Sequence, residues 1–253
     1  MKELQEKIIK GLLSATKYIP SEHKMRLSAS EVSSDMLELY LKRKHNISES
    51  KISQATIGSL LHVGCEMAFA EEDYVSVEET FSKLITGTNS YATATVDYID
   101  TKNKVVIDWK TTKEYTAKMV KAAIKKGDLF SNGYILQMNH QNYIINEPGY
   151  KYYLGMFYKD AKVDYKTGIE SDSFELIEIP MIDPDKYHKY IIDKANLLEL
   201  MIKDNIMPIK CSDLWPRKIG GVTINAKCKY YCSVSSVCPH YDNGIQPDTV
   251  VEW

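Results

Sequence analysis

Two side chains of opposite charge lie two residues apart in the apolar segment VVIDWKTTK, residues 105–113. Residues i and i+2 of an extended strand face the same side, so Asp108 and Lys110 share one face. Val105, Ile107 and Trp109 share the other face, which we predict to pack in the core. A carboxylate beside an ammonium can hold a cation and stabilise negative charge, but an ordinary solvated strand has the same pattern.

A second carboxylate is predicted to lie across a hairpin from the first. The segment SYATATVDYID, residues 90–100, alternates like a strand and leads into DTKNK, whose Asp and Asn favour a turn. If Lys102 and Asn103 form a two-residue turn, Asp97 lies opposite Asp108 with the Cβ atoms about 5 Å apart. Two like charges at that distance destabilise a sheet. We therefore interpret the pair as a site for a divalent cation, with Lys110 neutralising further charge.

A candidate third ligand lies on a predicted helix at residues 53–71. His62 and Glu66 are four residues apart in IGSLLHVGCEMAF and share one helix face. A single helix histidine is typical of packed or surface positions. It becomes a candidate ligand here because of the two carboxylates that follow.

In their order and spacing, these segments resemble the PD-(D/E)xK nucleases of the RecB type, a group that includes phage exonucleases. That family has a helix with H-x-x-x-E, then G-T-x-D, then D-x-K, then a helix with Q-x-x-x-Y. The corresponding segments are His62–Glu66, Ala94–Asp97, Asp108–Lys110 and the helix of Gln137. The resemblance spans about residues 24–240.

Two positions depart from the family pattern. Ala94 stands where the family has glycine, which is a small change. Gln141 stands where the family has tyrosine, and Tyr143 follows two residues later. The sequence leaves open whether either of these takes the role of the tyrosine.

The resemblance implies an α/β fold with a restriction-endonuclease-like core, in which helices flank a central mixed sheet. It implies that His62, Asp97, Asp108 and the carbonyl oxygen of Trp109 bind a divalent metal. Carboxylates suit Mg²⁺, and the imidazole favours Mn²⁺.

The resemblance also assigns roles to three further side chains. Lys110 would hold the attacking water or stabilise charge on the phosphate, and Gln137 would position a phosphate or the nucleophile. Glu66 would orient the site or take a second metal, and a plain surface position is an equal alternative.

A basic stripe is predicted on the helix that follows the D-x-K segment. Lys118, Lys121 and Lys125 fall on one face of EYTAKMVKAAIKK and are candidates for contacts to the DNA backbone. The alternative is an ordinary solvated face. Lysine binds phosphate as a point charge and does not read bases, so we expect action on DNA ends with little sequence preference.

The C-terminal tail contains four cysteines: Cys211, Cys228, Cys232 and Cys238. Several RecB-type nucleases hold a [4Fe–4S] cluster through three closing cysteines before a proline, and Cys228, Cys232 and Cys238-Pro239 resemble that set. Cys211 is the natural fourth ligand. Zinc, or no metal at all, remains an alternative, although the tail lacks the close C-x2-C pairs usual for structural zinc.

The whole chain of 253 residues is predicted to form a single nuclease domain. It has an N-terminal helical part (1–50), a catalytic core (51–205) and the cysteine-containing tail (206–253). Helices are predicted over 2–18, 30–45, 53–71, 114–126, 131–145 and 184–203. Strands are predicted near 75–85, 91–99, 104–110, 151–158 and 173–179.

Composition limits the function classes. The net charge of −2 gives no global sign of nucleic-acid binding, so any such contact must rest on local patches. No apolar run reaches membrane-spanning length. Five cysteines without a secretion signal favour a reducing compartment, so we expect a cytoplasmic protein, in the host cytoplasm if a phage encodes it.

The sequence thus favours a metal-dependent deoxyribonuclease, an exonuclease of phage or mobile-element type, with a helicase or recombination protein as a candidate partner. Two alternatives remain. One is a nucleic-acid-binding protein that keeps the fold without catalysis. The other is a restriction-type endonuclease.

Overall fold

The computed structural model describes residues 25–45, 64, 72–161, 173–209, 211, 215–219 and 222–241. The chain forms two compact units, each made of two segments. Unit 1 comprises Met1–Ser33 and Ser53–Asp193, and unit 2 comprises Ser34–Ile52 and Lys194–Trp253.

Unit 1 is built on a mixed sheet to which the described residues contribute six strands. They are β1 (Arg26–Ser28), β2 (Val75–Leu84), β3 (Tyr91–Asp100), β4 (Val105–Thr112), β5 (Lys151–Tyr158) and β6 (Phe174–Glu178). The strand order is β1-β3-β4-β5-β6, and β2 pairs with β3. The β1–β3 and β4–β5 pairs are parallel and the other pairs are antiparallel. The predicted central mixed sheet flanked by helices is confirmed.

Two helices connect the parallel strands β4 and β5, as a parallel pair requires. Helix α2 (Glu114–Lys126) ends at Gly127, whose φ of 70° is the left-handed conformation that glycine adopts without strain. Helix α3 (Gly133–Ile145) begins after Asn132, whose side chain accepts hydrogen bonds from the backbone N–H groups of Tyr134 and Ile135. Helix α4 (Pro184–Lys203) follows β6, and the boundary between the units falls within it.

Strand β4 is buried on both faces, which corrects the prediction that only one face belongs to the core. Ile107 and Trp109 pack with Tyr98 on one side of the sheet, as predicted. On the other side Val106 is fully buried and Asp108 is 1% exposed, because α3 covers this face. The charged pair is therefore not a feature of a solvated strand.

Most predicted elements within the described residues are present, and the differences are local. The helix predicted from residue 30 begins at Met36, because the preceding residues form turns after β1. The three-residue strand β1 and a hairpin in the tail were not predicted. The helix predicted at 2–18 lies outside the described residues, as does that at 53–71 apart from Gly64.

Unit 2 contains α1 (Met36–His45), the end of α4, the hairpin of β7 (Pro216–Ile219) and β8 (Val222–Asn225), and a π-helical turn, Lys227–Tyr231. Polar contacts hold the cysteine-containing tail to the start of α1. The Lys227 ammonium lies 3.0 Å from the Asp35 carboxylate, and the Ser233 hydroxyl donates to Glu38 at 3.2 Å. None of the helices within the described ranges is long and apolar enough to cross a membrane.

Candidate active site

The sheet of unit 1 divides at β3. Strand β2 pairs with β3 along its length, so β1 and β4 share the opposite edge. On that edge, β1 pairs with Tyr91–Thr93 and β4 pairs with Tyr98–Asp100. Neither ladder includes residues 94–97, so β3 and β4 separate at the position of Asp97.

Asp97 bridges the point where the two strands separate. One of its carboxylate oxygens accepts a hydrogen bond from the backbone N–H of Trp109 at 2.7 Å, in place of the carbonyl that a continuing ladder would supply. Asp97 is only 7% exposed. This bond holds the Asp97 carboxylate next to Trp109, and therefore close to Asp108 in the chain.

The predicted register of this hairpin is confirmed by the pair Tyr98↔Ile107, and one further step places Asp97 and Asp108 at facing positions. The predicted two-residue turn is wrong. The loop has four residues, 101–104, and Asp100 closes it by accepting from the backbone N–H and the side-chain amide of Asn103, both at 2.7 Å. The expected pair Thr101↔Lys104 is absent from the ladder, so the loop is two residues longer than predicted while the register stays the same.

Asp108 has polar partners at both oxygens, hydrogen-bond donors at Oδ1 and an ion pair at Oδ2. Its Oδ1 accepts from the Nε2 atoms of Gln137 at 2.8 Å and Gln141 at 3.2 Å. Its Oδ2 lies 2.5 Å from the Lys110 ammonium. The two sequence-predicted residues of β4 and the glutamine of α3 are therefore brought together, and Gln141 joins them.

One face of α3 supplies the groups that meet β4. Tyr134, Gln137 and Gln141 are spaced i, i+3 and i+7 and so lie on one side of the helix. The Lys110 ammonium is 5.9 Å from the centre of the Tyr134 ring.

Tyr143, which follows Gln141 by two residues, lies on a different side of α3. Its ring contacts the ring of His188 at 5.7 Å between centroids and the ammonium of Lys83 at 4.3 Å. Of the two residues that the sequence left open for the family's tyrosine, Gln141 is the one in contact with Asp108.

Lys110 keeps its charge in this environment. Burial alone would lower the pKa of its ammonium, but the carboxylates of Asp108 and Asp97 outweigh burial and raise that pKa above its ordinary value. The site thus holds one ammonium, in contact with Asp108, and two buried carboxylates. A further cation would balance the remaining negative charge.

The carboxylates fit a divalent metal as part of a ligand set. Hard oxygen ligands suit Mg²⁺ and Mn²⁺, and Asp97 and Asp108 come from strands held at a fixed register. Within the part of the chain that the structure describes, no three His, Cys, Asp or Glu side chains are grouped closely enough to hold a metal ion. The predicted ligand His62, and Glu66 beside it, lie outside that part. The ligand role of the Trp109 carbonyl stays a prediction.

The three lysines predicted to contact DNA are exposed on α2, but two of them are paired with glutamates. Lys118 lies 2.9 Å from Glu114, and Lys121 donates to both carboxylate oxygens of Glu175 at 2.9 Å. These carboxylates compete with phosphate for the lysines. The basic stripe is therefore less positive than the sequence pattern indicates, and its role in DNA binding stays a prediction.

The four tail cysteines all lie in unit 2 and affect one another electrostatically. Burial raises the pKa of the Cys211 thiol to about 12, and the nearby Asp35, Cys232 and Cys238 add to the effect. Burial also raises the pKa of Cys232, which senses Cys228 and Cys238. Cys238 thus influences both Cys211 and Cys232, but no three of the described tail thiols are grouped closely enough to hold a metal ion.

Two residues of the site were not predicted, namely Gln141 as a partner of Asp108 and Tyr134 beside Lys110. The spacing from Gln137 contains the signal, because positions three before and four after a residue share its helix face. The apolar pattern of α3 does not favour that face, since buried residues occur around the whole helix.

Comparison with known proteins supports the fold. No protein-family model matches the chain, and no curated protein matches it in sequence. Among solved structures the chain is similar to that of SSO0001, with a TM-score of 0.58 and 16% identity over 93% of this chain and 96% of that chain. At 16% identity, this structural similarity shows a shared fold and nothing more.

An alkaline exonuclease from Laribacter hongkongensis, LHK-Exo, matches with a TM-score of 0.47 and 15% identity over 71% of this chain and 91% of that chain. Its complex with dAMP matches with a TM-score of 0.44 and 16% identity over 71% and 89% of the two chains. Both are too distant in structure to support an argument about this chain.

Proposed function

We propose that the protein is a metal-dependent DNA nuclease that hydrolyses phosphodiester bonds, acting as an exonuclease on DNA ends. The observation that carries the proposal is the contact of Asp108 with Lys110 beside the point where Asp97 bridges β3 and β4. Two buried carboxylates at facing strand positions, with a partly exposed ammonium beside them, combine cation binding with stabilisation of negative charge.

Each residue has a distinct role in the proposed reaction. Asp97 and Asp108 would hold a Mg²⁺ or Mn²⁺ ion together with His62 and the Trp109 carbonyl, and such an ion lowers the pKa of a bound water and neutralises charge on the phosphate. Lys110 would stabilise the charge that develops on the phosphate oxygens. Gln137 holds Asp108 in position through the bond between its Nε2 and Oδ1.

Burial of the carboxylates supports a catalytic rather than a purely structural role. A buried pair of acids with a single ammonium costs folding free energy that an apolar pair in the same strands would not cost. A DNA-binding protein without catalysis has no use for this arrangement, because DNA is itself an anion. The non-catalytic alternative is therefore less well supported than the nuclease.

We also propose that the tail binds a [4Fe–4S] cluster through Cys211, Cys228, Cys232 and Cys238, with zinc as the alternative. The location of all four cysteines in unit 2 and the influence of Cys238 on both Cys211 and Cys232 support this proposal. The raised pKa values of Cys211 and Cys232 mean that metal binding must displace protons from these two thiols, so binding should be strongly pH-dependent.

DNA cleavage assays test the proposed activity. Linear DNA labelled at one end and covalently closed circular DNA are incubated with the protein in Mn²⁺, in Mg²⁺ and in EDTA. We expect the linear DNA to shorten progressively in either metal and to stay intact in EDTA. Discrete bands from linear duplex, or efficient cutting of the circle, would instead indicate an endonuclease.

A further inference from the structure

Gln141 is a buried polar residue whose amide group is only partly satisfied by hydrogen bonds. It is fully buried on α3 and donates through Nε2 to Asp108 Oδ1 at 3.2 Å. No donor among the described residues reaches its Oε1. A buried acceptor without a donor lowers stability, and a methionine or leucine would occupy similar space without that cost. Packing alone therefore does not account for a glutamine at this position.

The two glutamines make the two carboxylate oxygens of Asp108 unequal. Gln137 and Gln141 both donate to Oδ1, at 2.8 and 3.2 Å, which occupies the two lone pairs of that oxygen. Oδ2 is left facing the Lys110 ammonium. With both amides in place the carboxylate cannot rotate without losing two hydrogen bonds. One oxygen is thereby fixed towards the helix and the other towards the positive charge.

We propose that Gln141 is a positioning residue for the carboxylate of Asp108, holding Oδ1 so that Oδ2 is the oxygen that would be offered to a divalent cation. This inference rests on the proposed function, because it concerns the same carboxylate. It assigns to Gln141 the helix position at which the resembling family has tyrosine, and it assigns no such role to Tyr143. Outer partners of this kind commonly change metal affinity by about 10–100-fold when they are removed.

Calorimetric titration with Mn²⁺ alone, in the absence of DNA, tests the proposal on the full chain. Gln141→Met removes the amide at nearly constant volume, and we expect it to weaken Mn²⁺ binding by about 10–100-fold. The rate constant kcat for DNA cleavage should fall with it while KM for DNA stays unchanged. Tyr143→Phe is the matched control on the same helix, and it should change neither quantity.

A purely structural Gln141 would give a different result. In that case Gln141→Met would shift the melting temperature but leave the Mn²⁺ affinity and kcat at their wild-type values, which would overturn the proposal. If Gln141→Met does not fold, Gln141→Asn replaces it. That variant keeps an amide one carbon too short to reach Oδ1, and the same loss of affinity is expected.

The outcome separates this inference from the proposed function. A wild-type protein that binds Mn²⁺ in a Gln141-dependent way but cleaves no DNA would support the positioning role and contradict the nuclease. A protein that cleaves DNA but has the same Mn²⁺ affinity with and without the Gln141 amide would support the nuclease and contradict the positioning role. A wild-type protein that binds no Mn²⁺ would overturn the positioning role.

Discussion

At the residue scale, Lys110 is the side chain that we propose to stabilise the negative charge developing on the phosphate. It lies against Asp108, and its ammonium is kept protonated by the two neighbouring carboxylates. We expect Lys110→Met to lower kcat by about 10²–10³-fold, the usual effect of removing one group that stabilises transition-state charge. Steady-state cleavage kinetics measure this. Lys126→Met, which removes an exposed lysine of α2 that is not among the predicted DNA contacts, is the control and should leave kcat within a factor of about two.

His140 is a second residue for which burial has a measurable consequence. Its Nε2 lies 2.9 Å from the carbonyl oxygen of Leu27, so that nitrogen carries the proton, and Nδ1 accepts from the Tyr187 hydroxyl at 2.9 Å. Burial lowers the pKa of His140 from 6.5 to about 4, against the opposing effects of Leu27 and Glu31. The imidazole is therefore neutral in the folded protein at pH 7.

The unfolded chain binds a proton at His140 more readily than the folded protein does. The contribution of His140 to the free energy of unfolding should therefore be fully present above pH 6.5 and should be lost as the pH falls towards 4. The expected loss of unfolding free energy over that interval is about 3 kcal/mol. Urea denaturation at a series of pH values measures it, and His140→Gln removes this contribution. An identical pH dependence in the wild type and in His140→Gln would contradict the assigned burial and tautomer.

At the element scale, the contact between β4 and β5 constrains the strand that carries the site. Gly155 of β5 is paired with Trp109, and a Cβ atom there would lie 2.2 Å from Cε3 and 2.4 Å from Cζ3 of the indole. We expect Gly155→Ala to lower the free energy of unfolding by about 1–3 kcal/mol through overpacking. Chemical denaturation followed by circular dichroism measures the loss.

A double-mutant cycle provides the control for this contact. In a Trp109→Leu background the indole atoms nearest Gly155 are absent, so Gly155→Ala should cost less than it does in the wild type. An equal cost in both backgrounds would show that the backbone, and not the indole, is what excludes a side chain at this position.

The elements that hold the site were predictable to different degrees. Strands β3 and β4 could be predicted because the alternation of SYATATVDYID, the apolar run VVI and the polar turn between them define a hairpin. A turn centred on Lys102 and Asn103 also placed Asp97 opposite Asp108, although the loop is two residues longer than predicted. The three-residue β1 could not, since its pairing with β3 depends on tertiary contacts such as the bond from His140 to the Leu27 carbonyl. Without β1, the sequence does not reveal that β3 changes partner at Asp97.

The face of α3 that meets β4 was unpredictable for a different reason. An amphipathic helix shows which side packs inward, but α3 is buried on several sides and has no polar stripe to indicate orientation. Gln137 was found through the resemblance to a known family. Gln141 stands at a position where that resemblance fails; its spacing from Gln137 places it on the same helix face, and the contact with Asp108 identifies its role.

At the scale of the whole molecule, the proposed cluster in unit 2 should be separable from the chemistry of unit 1. We expect protein purified without oxygen to be brown and to contain about four iron atoms per chain. Cys232→Ser should lose the iron and the visible absorption. Cys65→Ser is the control, because Cys65 is not among the proposed ligands, and it should keep both. Stoichiometric zinc without visible absorption would support the alternative metal, and the absence of both metals would contradict a metal-binding tail.

The central claim is that Asp108, buried between two glutamines and Lys110, is the metal-binding carboxylate of a nuclease. The most direct test is the cleavage rate of end-labelled linear DNA in Mn²⁺ by the wild type and by Asp108→Asn. That variant keeps the size of the side chain but removes its charge. We expect the rate to fall at least about 10³-fold, with Mn²⁺ affinity lowered in parallel and the circular dichroism spectrum unchanged. A folded Asp108→Asn protein that cleaves DNA at close to the wild-type rate, or a wild type that cleaves equally well in EDTA, would contradict the claim.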